Sequence, residues 1–224
     1  MVETSEESKK DQFAFIGGKD NLSTLTYGLV SGISGGALKL FTDLKIEGKE
    51  NIPLMGKAII TTISDNVIRD LVVISQLSGR QIHFMLDPKL IRHQVAGPVL
   101  KFLGMFRSTE SKDDMEPIEK VFELLNEKGD LVAMTPESKF DYEIQVKSMA
   151  AIIKFAIAAD APIIPVAIST RKNKLFDLIN VDGLTIRVGN PLEVEKKLNR
   201  DKYRDQRYEL AEGIIKIINS MKSE

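Results

Sequence analysis

Lys57-Ala58-Ile59-Ile60-Thr61-Thr62-Ile63-Ser64-Asp65-Asn66-Val67-Ile68-Arg69-Asp70-Leu71-Val72-Val73-Ile74 is the stretch on which the fold turns. Lys57 to Ile63 is a short run of apolar and β-branched residues, which reads as a buried strand. Asn66 to Leu77 then reads as a helix, which Ser64 or Asp65, both favoured N-cap types, is expected to cap. A buried strand delivered straight into a helix opens an α/β unit. The unpaired N–H groups and dipole at such a helix start favour an anion, whether a phosphate or a developing oxyanion.

Outward from this stretch the alternation repeats. Gln81 to Leu86 reads as a strand, and Pro117 to Glu127 as a helix with the stripe Ile118, Val121, Phe122, Leu125 that stops at Gly129. Leu131 to Met134 is a strand, Lys147 to Ala159 a helix, Ile163 to Ile168 and Leu184 to Val188 strands, and Asp201 to Met221 a closing helix. No internal repeat or low-complexity stretch breaks the run. With 224 residues and 43% hydrophobic content, the chain is sized for one well-cored domain.

Composition removes several function classes. Lys and Arg number 31 against 32 Asp and Glu, so the net charge of -1 provides no field to gather nucleic acid. The absence of cysteine excludes thiolate catalysis, Cys-containing zinc sites and disulfides, and suits an intracellular protein. With two histidines, His83 and His93, no His-rich metal site is expected. No Gly-rich turn between strand and helix suggests a nucleotide site.

The polar segment 1–20 starts acidic, where an export signal would be basic and then apolar, so a cytoplasmic protein is expected. In 21–44, Leu22, Leu25, Leu29, Ile33, Ala37, Leu40 and Leu44 recur at helical spacing, with Gly28, Gly32 and Gly36 every fourth residue. Polar interruptions keep this amphipathic helix short of a membrane span. Two readings fit it: packing against the domain or a second helix, or lying in the lipid interface as a peripheral anchor on the cytoplasmic membrane face. Residues 45–224 then form the α/β domain.

The motifs along that domain resemble those of the glycerolipid acyltransferases of the lysophosphatidate type, from Ile46 to Leu192. That family carries Asn-His-x-Ser-x-x-Asp after a first strand; here the matching segment is Ser64-Asp65-Asn66-Val67-Ile68-Arg69-Asp70, with Asp65 where the histidine stands. The approach Lys45-Ile46-Glu47-Gly48-Lys49-Glu50-Asn51-Ile52-Pro53 looks like the family's own. Gly97 to Arg107, through Leu103-Gly104-Met105-Phe106, resembles its second block, although Arg107 arrives a few residues early. The third block, Phe-Pro-Glu-Gly-Thr-Arg, becomes Thr135-Pro136-Glu137-Ser138-Lys139-Phe140, and a later Lys-Gly pair becomes Lys147-Ser148. Ala161 to Ile168, with Pro165 inside, resembles the fourth block, and Ile186 to Leu192 the closing strand and turn.

The resemblance implies an α/β fold with a mixed, mostly parallel sheet flanked by helices. It implies acyl transfer from a thioester, acyl-CoA or acyl carrier protein, to a hydroxyl of a lysophospholipid or glycerol phosphate, with no metal and no other cofactor. It further implies Asp65, Asp70 and Glu137 at the reacting centre, and Ser64, Arg107, Ser138, Lys139 and Lys147 as substrate contacts. Such chemistry needs a base for the hydroxyl proton, and the family uses a histidine held by a carboxylate.

Aspartate is the weaker base, its ordinary pKa lying about 2.6 units below that of histidine. Asp65 is therefore open to three readings: a helix cap, a base, or one member of a carboxylate pair with Asp70 in which one pKa is pushed up. Glu137 either orients the acceptor or is a solvated loop acid. Lys139 either replaces the missing arginine, without its bidentate fork, or is plainly solvated. His83 and His93 have no partner acid at a telling spacing and read as structural or surface residues. A non-catalytic descendant that binds lipid or an acyl carrier fits the same departures.

Overall fold

The computed structural model describes residues 44–111, 113–176 and 179–223. The polar segment 1–20 and the amphipathic helix expected over 21–44 lie outside the described residues, except Leu44, which opens a strand.

Seven strands form one sheet: β1 (Leu44–Glu47), β2 (Ala58–Thr61), β3 (Ile82–Leu86), β4 (Phe106–Arg107), β5 (Leu131–Met134), β6 (Ile163–Phe176) and β7 (Ile179–Val188). Their spatial order is β1-β7-β6-β2-β5-β3-β4. Every neighbouring pair is parallel except β6 with β7, so the sheet is mixed and mostly parallel. β2 lies between β6 and β5 with all four residues buried, which is why it is written as an unbroken apolar run ending in a β-branched threonine.

The helices are α1 (Val67–Ile74), α2 (Pro88–Ile91), α3 (Ala96–Phe102), α4 (Glu116–Phe122), α5 (Tyr142–Ala159) and α6 (Arg204–Ser223). Successive strand residues face opposite layers. Ile59, Val132, Met134 and Ile163 pack under α4, α5 and α6, whereas Ile60, Leu131, Ala133 and Ile164 pack under α1, α2 and α3. Gly48 joins β1 to the domain at φ +74, and a Cβ there would come within 2.2 Å of the Val188 carbonyl oxygen, so only glycine fits.

Three expectations change. The cap of α1 is Asn66, whose side-chain oxygen accepts from the Arg69 N–H at 3.0 Å; neither Ser64 nor Asp65 caps it. Ser64 still runs with the sheet, which leaves Asn66 as the first residue in the extended geometry an N-cap needs. Asn66→Ala is expected to lower stability by about 1 kcal/mol, read as a lower urea midpoint at unchanged slope; an unmoved midpoint would contradict the assignment.

The helix expected over Pro117 to Glu127 is α-helical only to Phe122. Its last turn, Glu123–Glu127, widens to a π-turn closed by the Lys128 N–H on the Glu123 carbonyl, and both Leu124 and Leu125 are buried there. Finally, β6 and β7 run well beyond Ile168 and Leu184 as a long antiparallel hairpin. On the β6 side its outer part, Arg171-Lys172-Asn173-Lys174, lacks the apolar alternation by which a strand is read.

Candidate active site

Adjacent parallel strands β2 and β5 send their carboxyl-terminal loops to opposite faces of the sheet. α1, with Val73 and Ile74, joins the layer of Ile60, while α5, with Val146 and Met149, joins the layer of Ile59. Such a divergence opens a crevice outside the carboxyl ends of the strands, where α/β proteins bind ligands. Here the two loops are also tied together. The Ser64 N–H donates to the Pro136 carbonyl at 2.9 Å, and the Ser138 N–H donates to the Ser64 carbonyl at 2.8 Å, so Ser64 and Glu137 form a parallel bridge. The structure thus brings Ser64, Asp65, Glu137, Ser138 and Lys139 together, with Asp70 one turn into α1.

Each of the three acids has a cation of its own. Asp65, 52% exposed, lies 3.4 Å from Nζ of Lys222 in the last turn of α6, which also donates to the Ile63 carbonyl at 2.9 Å. Asp70, 2% exposed, accepts on Oδ1 from Arg69 Nε at 2.8 Å, with Arg69 Nη2 at 2.7 Å. Glu137 lies 2.6 Å from Nζ of Lys139, whose pKa it raises, and that ammonium sits over the Phe140 ring. Asp65 and Asp70 thus each face a separate counterion.

Under the bridge, three buried oxygens have no partner among the described residues: Asp70 Oδ2, Ser64 Oγ and Thr62 Oγ1. Residues 62 and 64 continue the alternation of Ile60, so they share the layer of α1 with Asp70, while Ile63 faces α5. Unsatisfied buried polar groups cost free energy, and three of them on the loop after β2 and the first turn of α1 mark where a hydrogen-bonding group is to be received.

Arg107 stands on the edge strand β4, next to Leu86 at the same end of the sheet. It is bonded to Asp114, with Nη2 to Oδ1 at 2.9 Å, and to Glu116 at 2.6 Å, with Glu110 at 3.7 Å. These acids hold the guanidinium well above its ordinary range. The Arg107 hydrogen bond, helped by the Glu110 N–H, draws the Asp114 carboxyl down to about 2. A depressed acid adds stability above its ordinary pKa, about 4, that is lost as pH falls towards the folded value. Asp114→Asn should therefore flatten the acid limb of the stability curve between about pH 4 and 2; superimposable acid limbs would contradict the pairing.

Lys147 is elsewhere. It pairs with Glu143 at 2.6 Å on the outer surface of α5 and lines a shallow groove with Lys154, Arg204 and Tyr208. His83 does have an acid partner that spacing did not reveal: Nε2 lies 3.3 Å from Asp130 and Nδ1 lies 2.8 Å from the Gly104 carbonyl oxygen. That pair sits at the amino-terminal end of the sheet, across from the crevice, so the histidine is structural. His93 accepts from the Val95 and Ala96 N–H groups at the start of α3.

Two participants escape sequence reading. Lys222 is separated from Asp65 by 157 residues and sits in an ordinary polar helix end. Arg69 is legible only as a neighbour of Asp70. Between β4 and α4 lies an open groove of about 850 Å³, lined by Ile91, Met105, Phe106 and Pro117 together with eight charged residues, Arg107 and Glu116 among them. Among the described residues no cluster of three or more His, Asp or Glu is placed to hold a metal, and no helix is long and apolar enough to cross a membrane.

Residues 43–169 match the family model described as Acyltransferase, more than half of the chain. No curated protein matches. Among solved structures the chain is similar to the 1-acyl-sn-glycerophosphate (LPA) acyltransferase of Thermotoga maritima, with a TM-score of 0.62 and 16% identity, covering 94% of this chain and 86% of that one. That likeness is one of fold.

Proposed function

The chain belongs to the acyltransferase family, and we propose that it transfers an acyl group from a thioester, acyl-CoA or acyl carrier protein, to a hydroxyl of a lysophospholipid or glycerol phosphate at the β2–β5 crevice. The observation that carries this reading is the Ser64–Glu137 bridge, which assembles the first and third motif blocks at the topological switch point. In the reaction the acceptor oxygen bonds to the thioester carbonyl carbon, the carbon–sulfur bond breaks, and the hydroxyl proton ends on the departing thiol. Asp65, at the mouth, takes the proton in transit. Asp70, buried with Oδ2 free, positions the loop, and Glu137 orients the acceptor. Because a carboxylate is by its ordinary pKa a weaker base than the imidazole it replaces, turnover is slow for the family.

Exposed Ile68, Phe140, Tyr142 and Ile144 flank the crevice at the starts of α1 and α5, which suits a site that meets its lipid at a membrane face. The groove between β4 and α4 is of the size that holds a lipid chain. A second reading, a non-catalytic lipid or acyl-carrier binder, draws on one observation: every carboxylate of the crevice is already paired with a cation. Thiol release from acyl-CoA and from acyl carrier protein, measured with lipid acceptors, separates the two. Release by the purified wild type supports catalysis, and none with any donor favours the binder.

A further inference from the structure

The charges around the crevice are matched in a way that bears on the acceptor. Resting on the acyl-acceptor reading above, we infer that the site takes a lipid alcohol whose headgroup carries no net charge, rather than a phosphate monoester.

A phosphate dianion is held in proteins by cations with charge and donors to spare, by arginine forks above all, or by the open N–H groups of a helix start. Among the described residues, each arginine and lysine side chain of the motif blocks is already engaged. Arg107, the arginine of the second block, is clasped by Asp114 and Glu116 with Glu110 beyond. Lys139 of the third block belongs to Glu137, and Asp87 adds a further negative charge felt by that lysine. Arg69 belongs to Asp70, and Lys222 to Asp65. Lys147 faces Glu143. At the start of α1, the Arg69 N–H that would meet an anion is taken by the Asn66 side chain.

A dianion entering the crevice therefore meets carboxylates at Asp65, Asp70 and Glu137 with no excess of cations to offset them. Displacing Asp114 from Arg107 would leave a largely covered carboxylate without its partner, which is costly. An uncharged hydroxyl headgroup asks for none of this. The free Asp70 Oδ2, Ser64 Oγ and Thr62 Oγ1 show that the crevice floor is polar through neutral and acceptor groups, suited to hydroxyls.

The test is equilibrium binding in mixed micelles, independent of turnover, with three lipids of equal chain length: monoacylglycerol, lysophosphatidylcholine and lysophosphatidate. The full-length wild type is expected to bind the first two at least about tenfold more tightly than lysophosphatidate. The variant Asp114→Asn/Glu116→Gln, which releases Arg107, is expected to recover lysophosphatidate binding by about fivefold or more and to leave monoacylglycerol binding as it was. Lysophosphatidate binding as tightly as the uncharged lipids, or no binding of any of the three, overturns the inference. Thiol release is followed in the same samples. Selective binding without release leaves the charge argument standing and retires the catalytic reading; release with lysophosphatidate alone does the reverse.

Discussion

Asp65→His raises thiol release from acyl-CoA by at least about tenfold over the wild type. The expectation follows from what the crevice keeps. Asp70 is still buried one turn into α1, and its Oδ2 has no partner, so an imidazole N–H entering from position 65 finds an acceptor. The neighbouring Lys222 ammonium, now facing a histidine, favours the neutral imidazole that acts as a base. General-base catalysis typically contributes about 10²–10⁴ in rate, and part of it is withheld here by the loss of Asp65 from its ion pair. Activity that appears only in the variant would mark the wild-type crevice as a retired site that binds without reacting. Equal rates in the two proteins would show that position 65 takes no part.

The second large effect belongs to Asp70. Asp70→Ala removes the carboxylate that holds the Arg69 guanidinium, which is three-quarters buried, and opens a cavity under the bridge. Hydrogen bonds to charged groups are worth roughly 1.5–3 kcal/mol, so a loss of about 2 kcal/mol of stability is expected, together with thiol release reduced at least a hundredfold. The isosteric Asp70→Asn separates the two consequences. It keeps the volume and one oxygen, so it should retain most of the stability while losing the same activity. Asparagine with wild-type turnover would reduce Asp70 to a packing residue.

How much of this was legible beforehand differs by scale. The strand–helix alternation was written plainly because parallel strands buried on both faces must be apolar throughout, as in Ala58 to Thr61 and Leu131 to Met134. The short edge elements left no such trace. β4 has two residues and α2 has four, too few for periodicity to register. The outer half of β6 opens on a polar run, Arg171 to Lys174, so its pairing with β7 is visible only in three dimensions.

At the site, the motif residues could be named in order along the chain, and Ser64 and Glu137 do meet. Their counterions could not. The Asp65–Lys222 contact joins the loop after β2 to the last helix, and the Arg107 cluster depends on a loop returning over β4. Sequence spacing carries no signal for contacts that only packing creates, and even the local cap of α1 falls to Asn66 rather than to Ser64 or Asp65. The distinction matters for function. Motif reading alone leaves Lys139, Lys147 and Arg107 as candidate phosphate ligands, whereas the folded chain gives each of them a carboxylate.

The central claim, that the β2–β5 crevice is an acyl-transfer site run on aspartates, is tested most directly by steady-state thiol release. Wild type and Asp70→Asn are compared at matched folded fraction, with acyl-CoA or acyl carrier protein as donor and an uncharged lipid alcohol as acceptor. Slow but acceptor-dependent release in the wild type, abolished in Asp70→Asn, is the predicted result; release that is absent from the wild type with both donors, or unchanged in the variant, would contradict it.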